Sequence, residues 1–239
     1  MSHNSPNHFA LDKEKAEEYL RTRPPVLLFG NKMVPINVWQ NKNHSMRYNY
    51  DNPSWYVNSS AKDYERMLYS ESERQDKTMD KEILKAGTAL DIGCGMAHMI
   101  LEKTLELDDP DICIAGIDDN LYDYNSPGGR GFIFPGHGGF QLAKCNWGQL
   151  DFAAPPRSVG LFWSLNAALY HVNDDHTLQN TINGIDHIAK PGAILRGNCR
   201  SQYGSMLQAA LSMLTAKGWD AKHIETIISG VIVAQKPLV

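Results

Sequence analysis

The sequence predicts an α/β fold, a mostly parallel sheet covered by helices on both faces, and three observations predict it. From residue 88 onward, short apolar runs with strand character alternate with segments of helical period. Residues 88–95, Thr-Ala-Leu-Asp-Ile-Gly-Cys-Gly, carry an apolar strand into an acid and then a Gly-x-Gly turn, which is how a parallel strand delivers its C-terminal end to a ligand. The chain closes on two β-rich runs, His223 to Ile228 and Val231 to Lys236, separated only by Ser229 and Gly230. So short a link requires a hairpin, and hence an antiparallel strand at the end of the sheet.

Taken in order, residues 12–22 read as a short charged helix, with Asp12 near its start and Arg21 near its end as the helix dipole prefers. Pro24 and Pro25 end it. Val26 to Asn58 shows no clear period and holds Trp39, Tyr48, Tyr50, Trp55 and Tyr56, an ordered irregular segment. Ser59 or Ser60 caps a helix running through Glu73, and Thr78 begins another that leads to Gly87. Strands are expected at 88–92, 112–117, 140–144, 159–164, 192–197, 222–228 and 230–236, with helices at 96–107, 175–189 and 202–218. This divides the chain into an N-terminal appendage or lid, residues 1–80, and a core, residues 81–239.

With 239 residues, 42% of them hydrophobic, and a pI near 6.1, the chain has room for one large domain and an appendage. No apolar run is long enough to span a bilayer, and the polar start from Met1 to His8 lacks the apolar core of a secretory signal, so the cytoplasm is expected. A net charge of -4 without a Lys/Arg cluster argues against a nucleic-acid backbone as the main partner. Cys94, Cys113, Cys145 and Cys199 are widely spaced and form neither a zinc pattern nor a disulfide framework, so all four read as reduced thiols. No metal site is expected.

At the turn, Gly93 and Gly95 can take backbone angles closed to other residues and let a ligand approach the main chain. A dinucleotide fingerprint would need a third glycine, and His98 stands in its place. Asp91, just before the turn, would also sit badly beside a pyrophosphate; a carboxylate there suits a cationic group, an amine or a sulfonium. On these residues the chain resembles the class I S-adenosylmethionine-dependent methyltransferases, whose first motif is an apolar strand followed by Asp/Glu-x-Gly-x-Gly; Leu90 to Gly95 carry the match, and the resemblance extends over about residues 80–239. The ending from His223, down to the closing Val-Ile-Val-Ala-Gln-Lys-Pro, looks like that fold's last two strands.

The resemblance implies a Rossmann-like seven-stranded sheet with S-adenosylmethionine as cofactor. Asp91, Gly93, Cys94 and Gly95 would then shape its methionine end, and Asp118, with Asp119 as the near alternative, would accept from the ribose hydroxyls. Asn146 stands near where the family often has an acid contacting the adenine amino group; asparagine keeps an acceptor oxygen without the charge. Trp147 either stacks on the purine or fills the core. Ser164, closing the fourth strand, is grouped with the cofactor residues, and the stretch it begins, Ser-x-x-x-Ala-Leu-x-His-Val, matches the family well. His171 is the candidate general base at that edge, with Tyr170 as alternative, although family members also use histidine here for packing. Asp174 and Asp175 read as the start of a helix, and His176 and His187 fall on it without metal-ligand partners.

Three departures stand out. Gly160 occupies a position where the family commonly has aspartate, and residues 121–139, dense in glycine and proline, replace an amphipathic helix. The edge after strand four reads Ser-Leu-Asn-Ala rather than the Asp/Asn-Pro-Pro-Tyr of nucleobase-amine methyltransferases, which argues against that substrate. The N-terminal aromatics, Tyr64 included, are candidates for a lid over the acceptor. The implied function is methyl transfer to a small-molecule acceptor at oxygen or nitrogen. The alternatives are a non-catalytic cofactor-binding or regulatory protein, motivated by Gly160 and 121–139, and another S-adenosylmethionine-using enzyme on the same fold.

Overall fold

The computed structural model describes residues 59–95, 98–109, 111–118, 139–144, 147–172, 174–199, 204–228 and 230–239. The expected helix over 12–22, the aromatic segment 26–58, Asp119, residues 121–138, Cys145 and Asn146 lie outside the described residues. The described chain opens with α1 (Ala61–Leu68), α2 (Glu71–Gln75) and α3 (Thr78–Ala86). The single helix expected through Glu73 is thus two. Ser60 and Asp63 form one capping box, and Ser70 and Glu73 form a second, which starts a new helix after an extended Tyr69.

The sheet follows as β1 (Thr88–Ile92), β2 (Cys113–Asp118), β3 (Gly139–Lys144), β4 (Val159–Ser164), β5 (Ala189–Asn198), β6 (Asp220–Ile224) and β7 (Val231–Gln235). Between the strands lie α4 (His98–Leu107), α5 (Leu150–Ala153), α6 (Ala168–His171), α7 (Asp175–Ile188) and α8 (Gly204–Ala216). The strand order is β3-β2-β1-β4-β5-β7-β6, parallel from β3 to β5, with β7 antiparallel to both its neighbours.

Two expectations at the sheet's far side need correction. β6 ends at Ile224, so the connection to β7 spans 225–230 and is not a two-residue turn. Thr226, Ile227 and Ile228 look β-forming in sequence, but the Thr226 hydroxyl lies 2.7 Å from the Met67 carbonyl and accepts from the Ile228 N–H, which holds this stretch as a loop against α1. β5 starts at Ala189, ahead of the expected 192, and its register against β4 shifts between Val159 and Leu161, with Gly192 at φ +77 inside the extra stretch.

Alternation along the strands builds a core on each face. Leu90 and Ile92 of β1 and Phe162 of β4 pack with α7 and α8 through Leu178, Ile182, Ile185 and Leu214. Ala89, Leu161 and Trp163 pack with α1, α3 and α4 through Tyr64, Leu68, Ile83 and Ile100. Residues 59–86 therefore share the sheet's own core. Among the described residues no helix is long and apolar enough to cross a membrane.

Arg196 of β5 fastens this second layer. Its guanidinium, 3% exposed, donates to Glu82 in a two-pronged contact (2.7 and 2.9 Å), to Glu73 at 2.8 Å and to the Leu68 carbonyl at 3.2 Å, and lies 4.0 Å from the centre of the Tyr69 ring. The Tyr69 hydroxyl donates to Glu82 and accepts from the Trp163 indole N–H, both at 3.0 Å. One cation thus ties α1, α2 and α3 to the sheet. Arg196→Ala, which leaves Glu82 without its counter-charge, is expected to lower unfolding free energy by about 3–5 kcal/mol in a denaturant titration. A loss below about 1 kcal/mol, the range of an exposed ion pair, would contradict the clamp.

Candidate functional site

β1 ends in Asp91-Ile92, and the turn Gly93-Cys94-Gly95 follows at the C-terminal edge of the parallel strands, where open α/β sheets collect ligands. The turn is held by the end of β2. The Gly93 and Cys94 N–H groups both donate to the Ile117 carbonyl, at 2.7 and 3.0 Å, and the Gly95 N–H donates to Asp118 Oδ2 at 3.0 Å. Gly93 sits at φ +83 and Gly95 at φ +54, angles that favour glycine. The Cys94 thiol is buried and turned toward Gly116, where a Cβ would come within 2.6 Å of its sulfur; burial pushes its pKa up, so it stays a neutral thiol. At the turn itself Cys94 offers only backbone.

Asp91 is the anomalous group. Its side chain is buried at 1% exposure; Oδ2 accepts a 2.7 Å hydrogen bond from the Tyr64 hydroxyl, and among the described residues Oδ1 has no partner. Burial pushes its pKa up to about 8, the Tyr64 hydrogen bond works in the opposite direction, and the charge of Asp118 raises it further. A carboxyl with one satisfied and one orphaned oxygen is rare in a folded core, which makes Asp91 the candidate ligand contact of this site.

The loop after β4 closes on this turn. A Cβ on Gly93 would collide with the Ala167 Cβ, so the Ala167 methyl rests directly on the Gly93 backbone. Beside Ala167, Asn166 takes φ +50 and pairs with the buried Asn198 at the end of β5: the Asn166 N–H donates to Asn198 Oδ1 (2.6 Å), and Asn198 Nδ2 donates to Asn166 Oδ1 (2.7 Å). The backbone donor fixes which way the Asn198 carboxamide faces, and that in turn fixes the Asn166 carboxamide. Tyr170 and His171 follow on α6, with ring centres 5.3 Å apart and an interplanar angle of 83°; Tyr170 is half-buried and His171 exposed.

The structure therefore brings together Asp91, Gly93, Cys94, Gly95 and Asp118, with the loop that leads to Tyr170 and His171 packed on them. Ser164 is fully buried and its hydroxyl lies 3.4 Å from the Leu169 N–H, which places it at the start of α6. Trp147 is half-buried against the α7 core. Asp174 caps α7 by accepting from the Thr177 N–H at 2.8 Å. Among the described residues, Cys94, Cys113 and Cys199 are free thiols and no group of His, Cys, Asp and Glu could hold a metal ion.

Sequence reasoning missed the hydroxyl of Tyr64 and the Asn166–Asn198 pair, each joining residues about thirty positions apart with no periodic signal between them. It also took Gly160 as a departure that motivates a non-catalytic protein. A Cβ there would meet Ala86 at 2.9 Å, so this glycine lets α3 end against β4.

No protein-family model matches the chain, and no curated protein does. Many of the solved structures that match are S-adenosylmethionine-dependent methyltransferases by name. A SAM-dependent methyltransferase from Methanosarcina mazei is 19% identical, with 64% of this chain and 93% of that one covered at a TM-score of 0.44. The N-methyltransferase NodS from Bradyrhizobium japonicum is 14% identical, with 70% and 96% covered and a TM-score of 0.44. A SAM-dependent methyltransferase from Aquifex aeolicus is 14% identical, with 72% and 91% covered and a TM-score of 0.47. At these values the likeness says nothing of what this chain binds.

The contact at Gly93 sets a specific expectation. In Gly87→Ala the Cβ approaches its nearest atom, the Asp111 carbonyl oxygen, only to 4.0 Å, whereas in Gly93→Ala it runs into Ala167, yet both positions have positive φ. Both variants pay the backbone strain, and Gly93→Ala is expected to lose about 1–3 kcal/mol more in chemical denaturation. Equal losses would mean that the β4 loop does not rest on the turn.

Proposed function

We propose that the chain transfers a methyl group from S-adenosylmethionine to a small-molecule acceptor, at oxygen or nitrogen. The single observation that carries this reading is Asp91: a buried carboxyl at a Gly-x-Gly turn, with one oxygen held by Tyr64 and the other without a partner among the described residues. Once ionised, such a group repels a pyrophosphate and welcomes a cation, and the amino-acid end of S-adenosylmethionine carries an ammonium group. The residues present fit that cofactor. Asp91 with the Gly93–Gly95 turn would hold the methionine end, and Asp118, whose Oδ2 already fixes the Gly95 N–H, would align the turn with the ribose. Asp119, Asn146 and Trp147 are assigned to the nucleoside side, and Ser164 to supporting the edge from beneath.

When bound, the cofactor supplies a methyl group made electrophilic by its sulfonium. The chain's own task is then alignment of the acceptor and exclusion of water. The loop 165–167, packed on Gly93, leads into α6, and Tyr170 and His171 there are assigned to the acceptor, where a base is needed only for a protonated hydroxyl or amine. The absence of a Lys/Arg cluster and the Ser-Leu-Asn-Ala edge favour a small molecule over a nucleic acid. The segment 1–80 is assigned to building the acceptor pocket. Gly160 no longer speaks for a protein that lost its activity, because the close approach of Ala86 accounts for it.

Calorimetry on the folded chain is expected to show binding of both S-adenosylmethionine and S-adenosylhomocysteine. Affinity should rise with pH through about 8, since the ammonium group needs the carboxylate form of Asp91 and that form fills only as pH passes its raised pKa. Asp91→Asn is expected to weaken binding by about 10–100-fold, the value of a hydrogen bond to a charged group. A folded sample that binds neither ligand overturns the reading, and a flat pH profile removes Asp91 from it. With an acceptor in hand, a fall in kcat of about 100-fold or more in His171→Ala at unchanged S-adenosylhomocysteine affinity assigns the base to His171; undiminished turnover excludes it.

A further inference from the structure

We infer that Tyr64 is a positioning residue of the cofactor site, through which helix α1 holds one oxygen of Asp91 and leaves the other for the cofactor's ammonium group. The inference rests on the reading above and adds to it a residue that lies outside the glycine motif, 27 positions upstream of Asp91. Tyr64 is 3% exposed, and its hydroxyl donates to Asp91 Oδ2 at 2.7 Å. Burial and the neighbouring carboxyl raise its pKa well above the ordinary phenol value, so across the working pH range the hydroxyl is a fixed donor.

Helix α1 has little freedom to withdraw this donor. The Ala61 N–H donates to Glu102 Oε2 on α4 at 2.6 Å, the Met67 carbonyl meets the Thr226 hydroxyl, and the Leu68 carbonyl accepts from Arg196. Lys103 of α4, buried, reaches Glu65 at 3.3 Å and Asp80 at 2.7 Å, which ties α1 and α3 to the same helix. A carboxyl rotates about its last torsion unless something fixes it. Here a phenol on a pinned helix supplies that restraint.

The groups facing Asp91 are Tyr64 from α1, Asp118 from β2 and the neutral Cys94 thiol from the turn. Asp118 opposes ionisation of Asp91, and of these groups Tyr64 alone favours it. Removal of the phenol oxygen therefore moves the pH at which the carboxylate forms upward, and with it the pH at which a cationic ligand binds. Loss of packing alone would weaken binding equally at every pH.

The test is titration calorimetry of the full chain with S-adenosylhomocysteine from about pH 6 to pH 10, comparing wild type with Tyr64→Phe, which keeps the ring in the core. The expected result is an affinity about tenfold lower near pH 8 and a binding midpoint displaced to higher pH. An unchanged midpoint, with or without a uniform loss of affinity, overturns the inference while leaving the cofactor reading intact. A folded wild type that does not bind the ligand at any pH overturns both. Should Tyr64→Phe fail to fold, the resonance of the hydroxyl-bearing ring carbon of Tyr64 in wild type decides: a shift on addition of S-adenosylhomocysteine supports the inference, and an unmoved signal overturns it.

Discussion

A carboxyl that the fold buries and only half satisfies governs the arrangement around it. Asp91 cannot stand in the core without help, because an ionised or unbonded carboxyl in a medium of low polarity is expensive. Tyr64 provides the help on one side, and that requires α1 to lie across the end of β1. The position of α1 in turn depends on Arg196, Glu102 and Lys103, each buried or half-buried and each bonded to the N-terminal layer. The polar network behind the site thus has one end in the sheet and the other at an oxygen with no protein partner among the described residues.

The turn itself is fixed by the strands around it. Its three N–H groups are taken by Ile117 and Asp118, so β2 sets the turn's shape before any ligand arrives. Gly93 and Ala167 meet without room for a side chain, which brings the β4 loop down onto the same place. Asn198 then locks that loop through its carboxamide, which accepts from the Asn166 backbone N–H and donates to Asn166 Oδ1, in a conformation with positive φ that asparagine tolerates better than most residues. Preorganisation of this kind suits a reaction in which alignment matters more than acid-base chemistry.

Much of the sheet was legible because its signals are local. β1 and β4 fall at the expected residues, since an apolar run bounded by turn chemistry leaves few alternatives. The break at Tyr69 is written in the sequence as a second Ser-x-x-Glu capping box, Ser70 to Glu73, which starts a new helix where the helical pattern alone suggests one longer element. The stretch after Ile224 misled for another reason: β-branched residues favour strands only where a neighbour pairs with them, and Thr226 bonds instead to α1. In the site, Asp91, Gly93, Gly95 and Asp118 were legible as a motif. Tyr64 was visible only as one aromatic among several, because its bond to Asp91 is made by tertiary packing. Gly160 looked like a lost functional residue for the same reason, until Ala86 was seen to need its space.

In the proposed mode of binding, Asp91 waits as a neutral, half-bonded carboxyl and becomes the ionised seat of a cationic ligand. Such a change of state expels a proton. The most direct measurement is the number of protons released when S-adenosylhomocysteine binds at pH 7, from calorimetry in buffers of differing ionisation enthalpy. With the carboxyl pKa raised to about 8, the account predicts release of about one proton per ligand bound, lost in Asp91→Asn. Binding that releases no proton would contradict it.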